Sequence, residues 1–192
     1  MPRAATGAWK LSKTVSIEDL GDVADAWQIG GPNYLPYRIA LLAKMLDRHT
    51  TRLLQESAGL TLAEWRVLSQ LTIESPAPVR QLASQAWVDR AEVSRAAASL
   101  ERRGYVERQD NPADRRSTLF SPTPQGIALV ETIRPLRREF HAALTRNLSK
   151  AQRAVLDEAL LILACQCVTA LNADEHRPEP EPVALSEAAA VG

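Results

Sequence analysis

Cysteine is almost missing from this chain, with only Cys165 and Cys167 in 192 residues. A disulfide-stapled scaffold is thereby excluded, and so is a Cys-x-x-Cys pair. Histidine is equally scarce, scattered at positions 49, 141 and 176 without a His-Glu-x-x-His motif. No glycine-rich phosphate loop and no G-x-S-x-G elbow occurs. With the usual supports for catalysis absent, no enzyme activity, cofactor or metal is expected. No unbroken apolar run is long enough to span a membrane, and the acidic stretch at Glu18 and Asp19 does not resemble a signal peptide, so a cytoplasmic protein without a membrane partner is expected.

Net charge is also lacking, but only in the sum. Residues 34–172 carry 19 basic and 14 acidic groups, whereas residues 1–33 carry three and four, and residues 173–192 one and five. The basic middle supports contact with phosphate, and the ends mask it. Arginine outnumbers lysine 19 to four, a bias that favours forked contacts and is equally the mark of a GC-rich genome.

The densest information lies between Pro78 and Gly126. Val79, Leu82, Ala83 and Ala86 repeat at i, i+3, i+4 and i+7, one face of a two-turn helix, and Trp87 and Val88 make the turn. Asp89 is a helix N-cap, with Glu92 three residues on completing a capping-box pattern. The helix it opens has an apolar face of Val93, Ala96, Ala97 and Leu100, and Gly104 stops it. Opposite that face stand Ala91, Arg95, Ala98 and Arg102, with Ser94 at the edge and Arg90 at the start. Small residues let a helix sink into a major groove, while arginine reads guanine and serine bonds a base or phosphate. Alone, the same residues also describe a solvated helix face.

The sequel separates the two. Tyr105–Arg108 and Thr118–Ser121 are β-prone runs flanking a polar loop, Asn111-Pro112-Ala113-Asp114-Arg115-Arg116, and read as a hairpin. Arg115 and Arg116 at its tip suit a narrow minor groove, with Asp114 placed to hold a guanidinium. Pro122 cannot donate to a ladder, so the second strand is predicted to end at Ser121. The fold class is therefore mainly α, a winged helix-turn-helix with a small β-hairpin wing.

On Ser94-Arg95, Leu100 to Val106, Asp114-Arg115-Arg116, Thr123 and Gly126, the chain resembles the MarR family of transcription regulators. The resemblance implies a homodimer bound to double-stranded DNA, with Ser94 and Arg95 on the recognition helix and Arg116 at the wing tip. It departs at Pro122, where such proteins usually carry leucine.

Flanking segments read as dimerisation helices. Leu35, Ile39, Leu42, Leu46 and Leu53 follow heptad spacing, with His49 in the missing position and Gly59 as stop. Thr61 and Glu64 form a capping box ahead of Trp65, Leu68 and Leu71, in a helix closed by Pro76. Gly126 to Leu148 is a further helix, expected to kink at Pro135. Ser149 and Gln152 cap the last, which between Ala159 and Val168 is apolar on nearly every side and calls for a second subunit as cover. Buried packing is the expected role of both cysteines there; some relatives sense oxidants through cysteine, which leaves a thiol sensor as one alternative and a winged-helix interaction module without DNA as another.

Three regions result: an arm of residues 1–33 apolar enough to pack on a subunit, a domain of residues 34–172, and an acidic Pro/Ala tail of residues 173–192 expected to be disordered. In relatives the effector lies between the dimerisation helices and the DNA-reading unit. By that resemblance Tyr37, Arg38, His49, Trp65 and Arg66 are candidate ligand residues, combining rings and positive charge suited to an aromatic carboxylate or its thioester. Each also has a plainer role as core or surface.

Overall fold

The structure is a computed structural model that describes residues 17–29, 34–114 and 116–175. A 3-10 segment, Ile17–Val23, leads into α1 (Ala24–Gln28), then α2 (Leu35–Ala58), α3 (Leu62–Leu71), β1 (Ala77–Pro78), α4 (Val79–Ala86), α5 (Arg90–Arg102), β2 (Val106–Asp110), β3 (Thr118–Pro122), α6 (Pro124–Leu144) and α7 (Lys150–Glu175). The chain forms two compact units, divided between Leu144 and Thr145.

Helix ends follow local chemistry. Gly59 closes α2 in the left-handed region (φ 61°, ψ 31°), and the amides of Gly59 and Leu60 bond the Gln55 and Leu54 carbonyls at 3.0 and 3.3 Å. Two residues later the capping box opens α3. Thr61 Oγ1 accepts from the Glu64 amide at 3.1 Å, and Glu64 Oε2 accepts from the Thr61 amide at 2.8 Å. That helix ends at Leu71, well ahead of Pro76.

The core of the first unit joins α2 to α6 through the sheet. Leu54, Leu60, Leu68, Leu71, Leu82, Ala97, Leu100 and Val130 are fully buried. Each such leucine is stabilised by about 1.5–3 kcal/mol relative to exposure. The heptad positions of α2 are only partly used: Ile39, Leu46 and Leu53 are half-buried, whereas Leu35 and Leu42 are 50% and 42% exposed.

Instead of a two-stranded hairpin, the wing is part of a three-stranded antiparallel sheet in the order β1-β3-β2. Ala77 pairs with Phe120 and Pro78 with Leu119 on one side of β3, while Val106 pairs with Pro122 and Asp110 with Thr118 on the other. The strand therefore runs one residue past Ser121. Pro122 is tolerated because it is the last residue of β3, where a missing amide interrupts no further ladder.

In α6 the helix continues through Pro135 but ends at Leu144, not Leu148. In the second unit the Leu148 amide closes a turn onto the Thr145 carbonyl at 3.1 Å. Ser149 and Gln152 then exchange the expected capping bonds at 2.8 and 3.2 Å. Along α7, Val155, Leu161 and Ile162 are 65%, 66% and 55% exposed. Both cysteines are exposed as well, contrary to the expected burial, because nothing within the second unit covers the helix that carries them. The reading that no segment could cross a membrane also needs correction. Lys150–Ala173, with a mean hydropathy of 1.8, is long and apolar enough by length and composition. Two carboxylates, Asp157 and Glu158, interrupt it near its start. Each carboxylate disfavours insertion by about 2.5–3.5 kcal/mol when placed centrally in a bilayer.

Candidate nucleic-acid interface

The helix-turn-helix is set by α4 and α5. Glu74 clamps the first helix, accepting from Gln81 and Gln85 Nε2 at 2.7 and 2.8 Å. Asp89 caps the second, its Oδ1 accepting from the Ala91 and Glu92 amides at 2.8 and 3.2 Å. Of the expected capping box only this half forms, so the start of α5 rests on Asp89.

Val93, Ala96, Ala97 and Leu100 are buried, which fixes the rotation of α5. Arg90, Ser94, Arg95 and Arg102 are consequently exposed, in agreement with the sequence pattern. The wing tip is organised by two aspartate-type turns. Asn111 Oδ1 accepts from the Ala113 amide, and Asp114 Oδ1 from the Arg116 amide, both at 3.0 Å. Asp114 thus shapes the backbone of the tip rather than gripping the Arg116 guanidinium. Arg116 is exposed; Arg115 lies outside the described residues. Arg108 ties the wing to α5, with Nε 3.8 Å from Glu101 Oε1 and Nη2 donating to Thr118 Oγ1 at 3.2 Å.

Two junctions hold this reading head in place, and neither was apparent as a unit from sequence. Thr123 Oγ1 donates to the Gly104 carbonyl at 2.7 Å, the Thr123 amide bonds the Tyr105 carbonyl at 3.0 Å, and Oγ1 accepts from the Gly126 amide at 3.1 Å. At Gly126 an added Cβ would collide with the Tyr105 carbonyl oxygen, which explains the glycine. On the other side, Arg103 donates to the Ala58 and Gly59 carbonyls at 3.2 and 3.1 Å and covers the Tyr105 ring at 5.0 Å. Its partner Glu64 is buried and also accepts from Ser99 Oγ at 2.6 Å. Burial works to raise the Glu64 pKa. The Ser99 and Thr61 hydrogen bonds and the Arg103 charge overcome it and hold the carboxyl below the usual glutamate range.

The five candidate ligand residues fall in two places. Tyr37 stacks on Tyr34 with centroids 5.9 Å apart, and Arg38 Nε donates to the Trp27 carbonyl at 3.1 Å, tying the N-terminal arm to the start of α2. His49 is eleven residues further, about 16 Å along the helix. There its ring stacks on Phe140 at 3.8 Å with an interplanar angle of 8°. Burial, followed by the charge of Arg52, lowers its pKa, and Glu56 opposes the change. Trp65 is buried in the core, and Arg66 pairs with Asp47 at 3.3 Å.

Sequence reasoning missed the residue that links this second group. Arg137 of α6 covers the Trp65 ring at 5.2 Å, and its pKa is lowered first by burial and then by the charge of Arg66. No carboxylate lies within ion-pairing distance of Arg137 among the described residues. Arg137 and Phe140, three apart on α6, were available as a signal only once α6 was known to face α2 and α3.

A helix-turn-helix with an exposed cationic second helix and an arginine-tipped wing defines a winged-helix DNA-binding regulator. The MarR family profile matches residues 58–117. The multiple antibiotic resistance protein MarR of Escherichia coli is 30% identical over 123 residues, covering 62% of this chain and 85% of that protein. The transcriptional activatory protein BadR of Rhodopseudomonas palustris is 31% identical over 121 residues, covering 61% and 69%. Among solved structures, the MarR-family regulator Sco3205 of Streptomyces coelicolor, crystallised in complex with DNA, superimposes with a TM-score of 0.62 at 28% identity over 68% of this chain and 87% of that one. The chain belongs to the MarR family of transcriptional regulators.

Proposed function

We propose that this regulator acts in the cytoplasm as a homodimeric repressor on a pseudo-palindromic operator, and that an anionic aromatic small molecule releases it. The observation that carries the DNA reading is the exposed row Arg90, Ser94, Arg95 and Arg102 on a helix whose opposite face is buried, with Arg116 at the wing tip. Two such helices related by a twofold axis read half-sites about one helical turn, roughly 10 bp, apart. Repression follows from occupancy, because a dimer lying on two half-sites excludes whatever else must bind there.

A second copy is the cover that α7 calls for, its apolar surface being interrupted by Asp157 and Glu158, which lipid disfavours. The effector reading is supported by Arg137, a partly buried cation over the Trp65 ring with no carboxylate within ion-pairing distance among the described residues, whereas Arg66 already has Asp47. The Tyr37 and Arg38 pair stands apart from that group and belongs to the anchorage of the arm.

Selection of bound duplexes from a random pool by the purified full-length chain tests the reading. Enrichment of one twofold-symmetric sequence is expected. Binding without sequence enrichment, or none, would favour a winged-helix interaction module. Transcription from a promoter carrying the selected site then reads the sign of regulation, and an increase on adding protein would replace repression by activation.

A further inference from the structure

The turn between α4 and α5 carries a side chain that the fold does not need. Trp87 is 76% exposed, and its backbone lies in the left-handed region at φ 50°. That conformation is uncommon for any residue but glycine and an outlier for a bulky one. The turn requires it, since the Trp87 and Val88 amides bond the Ser84 and Ala83 carbonyls at 3.4 and 3.2 Å to close α4. Glycine or asparagine would close it with less strain. An apolar ring kept in solvent on strained backbone points to a partner outside the chain.

The surroundings indicate its chemistry. Trp87 lines an open groove of about 480 Å3 with Arg80, Ala83, Ser84, Val88 and Arg90. Both arginines are exposed, and neither has a carboxylate within ion-pairing distance among the described residues. The neighbouring Asp89 has its carboxylate engaged by the Ala91 and Glu92 amides. A ring, two guanidinium groups and a hydroxyl lining one groove match a sugar–phosphate strand, whose phosphate oxygens can accept from Arg80, Arg90 and Ser84 and whose deoxyribose can pack on the indole. The groove is also continuous with the recognition face. Arg90 is the first residue of α5 and lies about 40° around the helix from Ser94.

We propose that Trp87, Arg80 and Arg90 hold one sugar–phosphate strand of the duplex beside the groove read by α5, so that the turn itself is a DNA contact. This rests on the DNA-binding reading above. Such a contact positions the protein without reading bases, and its loss is felt on any sequence.

The test compares the full-length protein and its variants on the selected duplex and on a random duplex of equal length, over a series of salt concentrations. Trp87→Asn removes the ring yet suits left-handed backbone, and should weaken both duplexes severalfold and by the same factor, while Trp87→Phe retains most of the affinity. Arg80→Ala, which leaves the turn intact, should flatten the log–log salt slope by about 1. If Trp87→Asn and Arg80→Ala bind both duplexes as the unaltered protein does, while Arg95→Ala loses base preference, the strand is not held here and the DNA reading stands. If the unaltered protein binds neither duplex, both inferences fall together.

Discussion

Arg103 Nη1 lies 3.5 Å from Glu64 Oε2, so the residue that ends the recognition helix is bound to the first turn of α3. Through its bonds to Ala58 and Gly59 the same guanidinium also caps α2. Three helix ends therefore meet at one side chain. Arg103→Ala leaves a buried carboxylate short of one partner and should lower stability by about 1–3 kcal/mol, measured by urea denaturation.

The same junction predicts a pH dependence. The Glu64 pKa is held below its unfolded value, so its contribution is complete above the ordinary glutamate range and disappears as pH falls through the lowered folded value. The stability gap between the unaltered protein and Glu64→Gln should be widest near neutrality and close in acid. A gap that instead widened in acid would show that the carboxylate is not stabilised by folding.

Gly126→Ala sets intrinsic helix propensity against packing. Alanine is the better helix former by about 1 kcal/mol. Here, however, the new Cβ meets the backbone of Tyr105 and the side chain of Leu68, neither of which can yield cheaply. A net loss of about 1–3 kcal/mol is expected from overpacking. Thermal denaturation gives the sign directly.

Arg95→Ala should relax preference at one base pair per half-site by about 1–3 kcal/mol if the arginine is bidentate to guanine. Arg116→Ala should leave that preference intact and weaken binding to A/T-rich flanks, the outcome expected if the exposed wing-tip arginine enters a narrow minor groove as proposed. Quantitative gel shifts at matched salt separate the two.

Arg137→Met keeps the length of the side chain over Trp65 but removes its charge. DNA affinity should stay near that of the unaltered protein, while release by benzoic or phenolic acids should be lost. Release by a cationic or oxidising compound in place of any anion would refute the assigned effector chemistry.

Leu161 is 66% exposed on α7, where a polar substitution in a lone chain would change stability by less than about 0.5 kcal/mol. Leu161→Glu in a dimer interface should instead shift the species seen by light scattering from dimer to monomer at micromolar concentration.

What the sequence revealed depended on range. The Asp89 cap, the Thr61 and Glu64 capping box and the Gly59 stop are rules spanning two to four residues, and each is found where expected. The exposure of Arg95 and Arg102 followed from the burial of Val93 and Leu100 on the same helix. By contrast, β1 is two residues long, too short for any periodicity to announce it. Arg103 and Glu64 are 39 positions apart, and nothing local to either names the other. The cysteines were read as buried because α7 is apolar; its surface is apolar for the same reason, since what would bury it is not part of the same unit.

β3 is the middle strand of its sheet, bonded through main-chain atoms to the wing strand β2 on one edge and on the other to β1, which leads directly into α4. The offset between α5 and the wing tip is set partly by these main-chain bonds and partly by the Arg108 and Thr123 side chains. If α5 and the wing both meet DNA as proposed, exposed side chains on α5 can change without touching the main-chain bonds that place the wing. On that reading, operator preference would shift by point mutation on α5 while the placement of the wing is kept.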